Sequence, residues 1–230
     1  VRLDHLIALN AERVARRAAM LVVDLARGTE RVVREADLAG DMLAEIARER
    51  FRSGESGVVD TPLGQKFLAV TVPPPRLIAI GAVHISQALA PMAKLAGYDM
   101  TVIDPRTAFA TPERFPGVPL YPDWPQDVLP RLGLDRYTAV AALTHDPKID
   151  DPALEAALRA GCFYVGALGS RKTHARRIER LRAAGVDETM IARIAAPIGL
   201  DLGGRSPGEI AVAVLAQVIR ALRKGSEGGP

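Results

Sequence analysis

The chain is poor in cysteine, in aromatic residues and in long apolar runs. One cysteine, Cys162, stands among 230 residues. That excludes an intrachain disulfide, a Cys-ligated iron–sulfur cluster and a multi-cysteine zinc site, and it suits a reducing compartment. Aromatic residues make up 4%, with one tryptophan, too few for the stacking platform of a single-strand nucleic-acid binder. No apolar run approaches the roughly 18 residues of a membrane span, and no secretory signal opens the chain, so the cytoplasm is the expected location. The remaining composition, 48% hydrophobic and 25% charged, is enough to bury a full core. Only the Gly/Ser-rich end, residues 225–230, reads as a flexible tail.

A net charge of +3 hints at nucleic acid until it is located. Residues 1–75 hold eleven Lys/Arg and eleven Asp/Glu, so the whole excess lies beyond them. Between 171 and 182, six basic residues stand against Glu179 alone. A single cluster of this kind suits a small anionic ligand and not a duplex backbone.

Pro73-Pro74-Pro75 divides the chain, because consecutive prolines continue neither a helix nor a central strand. Ahead of it, residues 10–18 and 37–51 have helical spacing. Residues 19–25, 30–33, 57–61 and 65–72 read as strands, the last two forming a hairpin at Pro62-Leu63-Gly64. This predicts a small α+β domain over residues 1–75, without clustered His, Cys or paired carboxylates. Residues 76–224 alternate strands with helices. Apolar strands are expected at 76–81, 99–104, 118–121, 137–144 and 162–166. Helices are expected at 86–96, from Asp151-Pro152, at 171–184 and at 206–223. Repeated strand–helix units with buried strands specify an α/β fold, a Rossmann-like doubly wound parallel sheet.

Such sheets bind ligands beyond the carboxyl ends of their strands, where strand order reverses. Five loops satisfy that rule: 81–86, 104–106, 144–147, 166–174 and 197–204. Gly81-Ala-Val-His-Ile-Ser86 fills the slot of the dinucleotide fingerprint, with Val83 and Ser86 in place of two glycines. The Val83 side chain stands where a pyrophosphate would press against backbone, which weakens NAD(P) binding. Gly81 and the free amides at the helix start near His84 still suit an anion. Asp104 closes the second strand 23 residues after Gly81, the place of a ribose acceptor, with Arg106 as a nearby cation.

Thr144-His145-Asp146 ends the fourth strand. His145 and Asp146 are candidates for acid–base work, although neighbours at a strand end point apart and turn chemistry is the other reading. Asp150 and Asp151 read as turn and cap residues. Residues 166–174 join Gly166 and Gly169, the Ser170 hydroxyl, and the cations Arg171 and Lys172 to a helix start. That is a phosphate or carboxylate site without the Walker A order. Ser170 is also a natural helix cap, and the basic residues from Arg176 to Arg182 read mostly as a solvated face. Cys162 reads as a small core residue. Asp201 faces either the crevice or solvent, and Ser206 with Glu209 has the spacing of a capping box. No metal site is expected, since no second His or Cys follows His145 at ligand spacing.

From Arg76 onward the chain resembles the C-terminal Rossmann domain of the xanthine dehydrogenase accessory (XdhC/CoxI) family. The matching stretches are Gly81-Ala-Val-His84, Val102-Ile-Asp-Pro-Arg106, Leu143-Thr-His-Asp-Pro147, Tyr164-Val-Gly-Ala-Leu-Gly-Ser-Arg-Lys-Thr-His174, Pro197-Ile-Gly-Leu-Asp-Leu202 and Pro207-Gly-Glu-Ile-Ala211. The resemblance implies a cytoplasmic factor that binds a molybdopterin-type molybdenum cofactor, helps its sulfuration and delivers it to a molybdenum hydroxylase client. Gly81, Gly169 and Ser170 would then supply close contacts, Arg171 and Lys172 charge, and Asp104 an acceptor. His145 and Asp146 would face the pterin or metal end. Residues 1–75 lack the glycine-rich segment with a cysteine that fuller members carry, and Val83 replaces a usual glycine. An NAD(P)-dependent oxidoreductase and a scaffold with a vestigial crevice are the competing classes. A homodimer is the default assembly.

Overall fold

In the computed structural model, which describes residues 1–225, the alternating apolar residues ahead of the prolines form an antiparallel sheet. The predicted tail, 225–230, lies outside the described residues apart from Gly225. The chain divides into two units between Pro73 and Pro74. The first contains α1 (Leu3–Val14), β1 (Ala19–Asp24), β2 (Glu30–Arg34), a 3-10 turn (Glu35–Asp37), α2 (Ala44–Ser53), β3 (Gly57–Thr61) and β4 (Gly64–Thr71). The strand order is β2-β1-β4-β3. Central β1 is buried from Ala19 to Val22. The first helix starts earlier than its predicted span of 10–18. The helix expected over 37–51 breaks in two, and Gly40 between the pieces adopts φ +84°, a left-handed backbone that no continuing helix allows.

The second unit contains β5 (Arg76–Ile80), α3 (His84–Leu95), β6 (Asp99–Ile103), β7 (Leu120–Tyr121), α4 (Pro125–Leu132), β8 (Thr138–Ala142), α5 (Pro147–Arg159), β9 (Tyr164–Ala167), α6 (Arg171–Ala183), α7 (Glu188–Ile191), β10 (Ile194–Ala195) and α8 (Pro207–Lys224). Its six strands are all parallel, in the order β10-β9-β8-β5-β6-β7. The chain runs outward from β5 to β7, then crosses back to β8 and runs outward the other way. Strand order therefore reverses between β5 and β8, and such sheets form their ligand crevice beyond the carboxyl ends of the strands at that place.

Side-chain alternation along β5 builds both cores. Leu77 and Ala79 face a cluster with Leu89 of α3 and Val214 and Val218 of α8. Ile78 and Ile80 face the opposite cluster with Leu154 of α5 and Leu181 of α6. Helices on both faces explain why β8, Thr-Ala-Val-Ala-Ala, is buried at every position. Each fully buried leucine here contributes about 2 kcal/mol by leaving water.

Three elements lie beyond the sequence reading: α4, α7 and the edge strand β10. The helix expected from Asp151-Pro152 opens earlier. Asp146 accepts the Lys148 amide at 2.9 Å and Pro147 takes the first helical position, so the upstream member of two Asp-Pro pairs wins. The capping box at the start of α8 is present, with Ser206 and Glu209 exchanging hydrogen bonds.

Candidate functional site

The turn after β5 is a tight one. Gly81 has φ +118°, and a Cβ there would stand 2.8 Å from Thr144 Cγ2, so glycine lets the ends of β5 and β8 meet. Ser86 is fully buried; its Oγ accepts the Val83 amide at 2.9 Å and lies 2.7 Å from the Gly81 carbonyl. The hydroxyl in the place of a fingerprint glycine thus closes the turn on itself and occupies an amide that could have faced a pyrophosphate. Val83 is half-buried, whereas His84, the first residue of α3, is exposed. Helix geometry leaves the His84 and Ile85 amides without intrahelical partners.

Asp104 corrects the sequence reading. It is fully buried and has no acceptor left for a ribose. One oxygen accepts the Arg106 amide and Nε, each at 2.9 Å; the other accepts the Ala82 amide at 2.7 Å and Arg106 Nη2 at 2.8 Å. All four lone-pair directions of the carboxylate are filled. Burial alone would raise its pKa, but Arg106 and the two amides together hold it below the usual carboxylate value. Asp104 therefore anchors the Gly81 turn and orients Arg106. That guanidinium remains partly exposed and lies 4.8 Å from the centre of the Phe109 ring. Arg114 braces the same corner by donating to the carbonyls of Ala82 and Phe109 at 2.8 and 2.7 Å.

The loops after β8 and β9 abut. A Cβ at Gly169, where φ is +132°, would lie 3.1 Å from Thr173 Cγ2 and 3.8 Å from His145 Nδ1. His145 is exposed and left-handed, with φ +66°, a conformation an ordinary side chain adopts only when its surroundings impose it. Asp150 imposes it here. This carboxylate is 1% exposed and accepts the His145 amide at 3.0 Å, the Thr144 hydroxyl at 2.7 Å and the Thr144 amide at 3.3 Å. Burial pushes its pKa up, against the pull of those hydrogen bonds and of Arg177. Thr144 gives its hydroxyl to Asp150, and Asp146 caps α5 through one carboxylate oxygen. Of the two acid–base candidates, His145 is exposed and Asp146 half-buried.

Ser170 caps α6 by accepting the Thr173 amide at 3.2 Å, and Arg171 and Lys172 are exposed on its first turn. Arg177 departs from the expected solvated face. It is 2% exposed, and its Nη2 donates to the Leu168 carbonyl at 2.9 Å. Asp201 is exposed on the loop after the edge strand β10, with β9 and β8 between that strand and β5. Cys162 is buried just ahead of β9, and its thiol is pushed up to about 12 by desolvation and then by Asp135. A buried thiol of this kind is a poor nucleophile at neutral pH. Among the described residues, no three His, Cys, Asp or Glu side chains gather as a metal site.

A separate concavity of about 540 Å³ lies in the first unit, lined in part by Asp24, Arg31, Asp41, Leu63 and Lys66. Four of its charged side chains are paired with one another, with Lys66 at 2.6 Å from Asp24 and Arg31 at 2.5 Å from Asp41, while Arg27 and Glu30 also line it. At the carboxyl ends of β5 and β9 stand two glycine turns, at Gly81 and Gly169, each followed by a helix start.

Strand order defines a Rossmann-type protein, a class whose ligands in general bind at the switch point. The XdhC Rossmann domain model matches residues 77–218. The chain belongs to the XdhC family. It is 33% identical over 143 residues to the molybdenum cofactor insertion chaperone PaoD of Escherichia coli, covering 62% of this chain and 39% of that protein. It is 30% identical over 159 residues to a Bacillus subtilis protein described as a probable subunit of xanthine dehydrogenase, covering 69% and 46%. The chain therefore spans less than half the length of either curated relative. A solved structure described as a xanthine dehydrogenase of Bacillus halodurans aligns with 99% of this chain and 66% of its own, at 23% identity and a TM-score of 0.64, a likeness of fold. No helix among the described residues is long and apolar enough to cross a membrane.

Proposed function

We propose that this chain binds molybdenum cofactor as cargo and serves its maturation and delivery to a client molybdenum hydroxylase in the cytoplasm. The observation that carries the reading is the Rossmann domain of the XdhC family, shared with a relative named as a molybdenum cofactor insertion chaperone. The residues of the crevice fit the anionic end of such a cargo. Gly169 stands in a turn where a Cβ would crowd Thr173, so its backbone at the α6 start is bare. The α3 and α6 starts offer free amides, and Arg106, Arg171 and Lys172 offer charge. Once inserted in the client, the molybdenum supplies the redox chemistry. In this chain the residues bind and orient. Gly169 and the adjoining amides take the phosphate, Arg106 lies toward the far end of the ligand, and His145 faces the pterin side. Cys162 is fully buried, which argues against it as a sulfur carrier.

The reading is tested by mixing the purified protein with molybdopterin and following pterin fluorescence through gel filtration. Co-elution with wild type and its loss in Gly169→Val is expected. Pterin emerging free from wild type would overturn the proposal. A thermal shift with NAD or NADP in its place would favour the dehydrogenase class, which the saturated Asp104 and the self-closed Gly81 turn oppose.

A further inference from the structure

We infer that Arg177 is the buried anchor of an oxyanion subsite at the start of α6, and that a phosphate group bound there takes its charge complement from this guanidinium. The inference rests on the anion-binding reading of residues 166–174 but moves the decisive cation away from exposed Arg171 and Lys172.

Arg177 is 2% exposed, yet only one of its nitrogens is satisfied. Nη2 meets the Leu168 carbonyl at 2.9 Å, while Nε and Nη1 make no hydrogen bond. The nearest carboxylates are committed elsewhere. Both oxygens of Asp150 hold the amides of Thr144 and His145. Asp151 stands 3.9 Å from Nε and gives its oxygens to Arg180 at 2.5 and 3.2 Å. Buried N–H groups of a charged side chain are rarely left without an acceptor, and here Asp150 and Asp151 supply opposite charge but no hydrogen bond to Nε or Nη1.

The position of the group says what that partner is. Side chains on a helix lean toward its N-terminus, and Arg177 reaches the carbonyl two residues ahead of the Ser170 cap. Its guanidinium therefore lies directly under the Leu168-Gly169-Ser170 turn. Helix geometry leaves the Arg171 and Lys172 amides free at the same turn. His174 adds a buried Nδ1 that also lacks a partner. An oxyanion that enters beneath the turn displaces the Leu168 carbonyl and receives two oxygens' worth of contact from the fork of the guanidinium, with the helix amides on a third. Gly169 at φ +132° gives the turn the backbone freedom to open.

The test uses the full chain with ¹⁵N-labelled arginine, titrated with inorganic phosphate. The Arg177 Nε–H resonance, identified by its absence in Arg177→Lys, should shift saturably. By calorimetry, phosphate affinity should fall about tenfold or more in Arg177→Lys. The double variant Arg171→Ala/Lys172→Ala should lose less than about threefold, and that loss should vanish at 1 M NaCl because exposed charges are screened. An unmoved Nε–H resonance, or a larger loss in the double variant, overturns the inference. If Arg177→Lys does not fold by circular dichroism, the wild-type resonance, assigned through its backbone, decides alone. Unchanged molybdopterin binding by a folded Arg177→Lys sinks this inference and leaves the proposed function standing. Phosphate on Arg177 with no molybdopterin binding does the reverse.

Discussion

At Gly81 two demands coincide, a backbone at φ +118° and a neighbouring strand end 2.8 Å from where a Cβ would be. Gly81→Ala should therefore destabilise the fold by about 2 kcal/mol or more, read from urea denaturation; a loss under half that would mean the β5 and β8 ends separate freely. Asp104 makes a prediction in pH. Its folded pKa lies below the ordinary value, so the charged form favours the fold. That stabilisation is complete above the unfolded pKa of about 3.9 and drains away as pH falls through the lower folded value. Asp104→Asn should be less stable at neutral pH, yet lose stability less steeply than wild type below about pH 4. Equal slopes in parallel denaturation series would show that the Arg106 pair adds nothing. Residues of this kind are only partly legible in a sequence. Gly81, Gly169 and His145 stand at strand ends, where topology alone marks them. Asp150 and Arg177 read as turn and surface because charged residues usually are. Their spacing holds the contrary signal, since Asp150 shares a helical face with buried Ala153, Leu154 and Ala157, and Arg177 lies four residues before buried Leu181.

Elements announce themselves where local chemistry is strong. The hairpin of β3 and β4 has its proline–glycine turn, and α8 has its capping box. Ser206 Oγ accepts the Glu209 amide at 3.3 Å, and the Glu209 carboxylate accepts the Ser206 amide at 2.8 Å. Ser206→Ala should cost about 1 kcal/mol, measured by thermal or urea unfolding, and a second change at Glu209 should add less than its single effect because the two bonds are reciprocal. Full additivity would mean that the two ends of the box act independently. Elements stay hidden where they are short. β10 has two residues and α7 four, less than one period of any pattern. They exist because Ile194 and Ile191 enter the core beside β9 and α5, a tertiary cause invisible to local reading. The opening of α5 turns on a choice between two Asp-Pro pairs that are equivalent in sequence. The fold favours the first because it lets Asp150 point inward and hold the β8 loop.

The basic excess belongs to the chain beyond residue 75, while the first seventy-five residues are neutral. The apolar interior is similarly uneven. The second unit has two clusters on opposite faces of a six-stranded sheet, whereas the first rests on one short stretch of β1 with Phe51 and Leu68 as its largest buried apolar partners besides Met20. Small domains bury a smaller share of their surface and are correspondingly marginal. A fragment beginning at Pro74 should thus fold cooperatively, with a single thermal transition by circular dichroism, and a fragment ending at Pro73 should unfold at a lower temperature. The groups assigned to anion binding, from Gly81 to Arg177, all lie in the longer fragment. It should therefore bind inorganic phosphate within about twofold of the full chain, since the neutral unit contributes no long-range attraction. A folded fragment that had lost phosphate binding would place part of the anion site in residues 1–73, and the charge map would no longer locate the function.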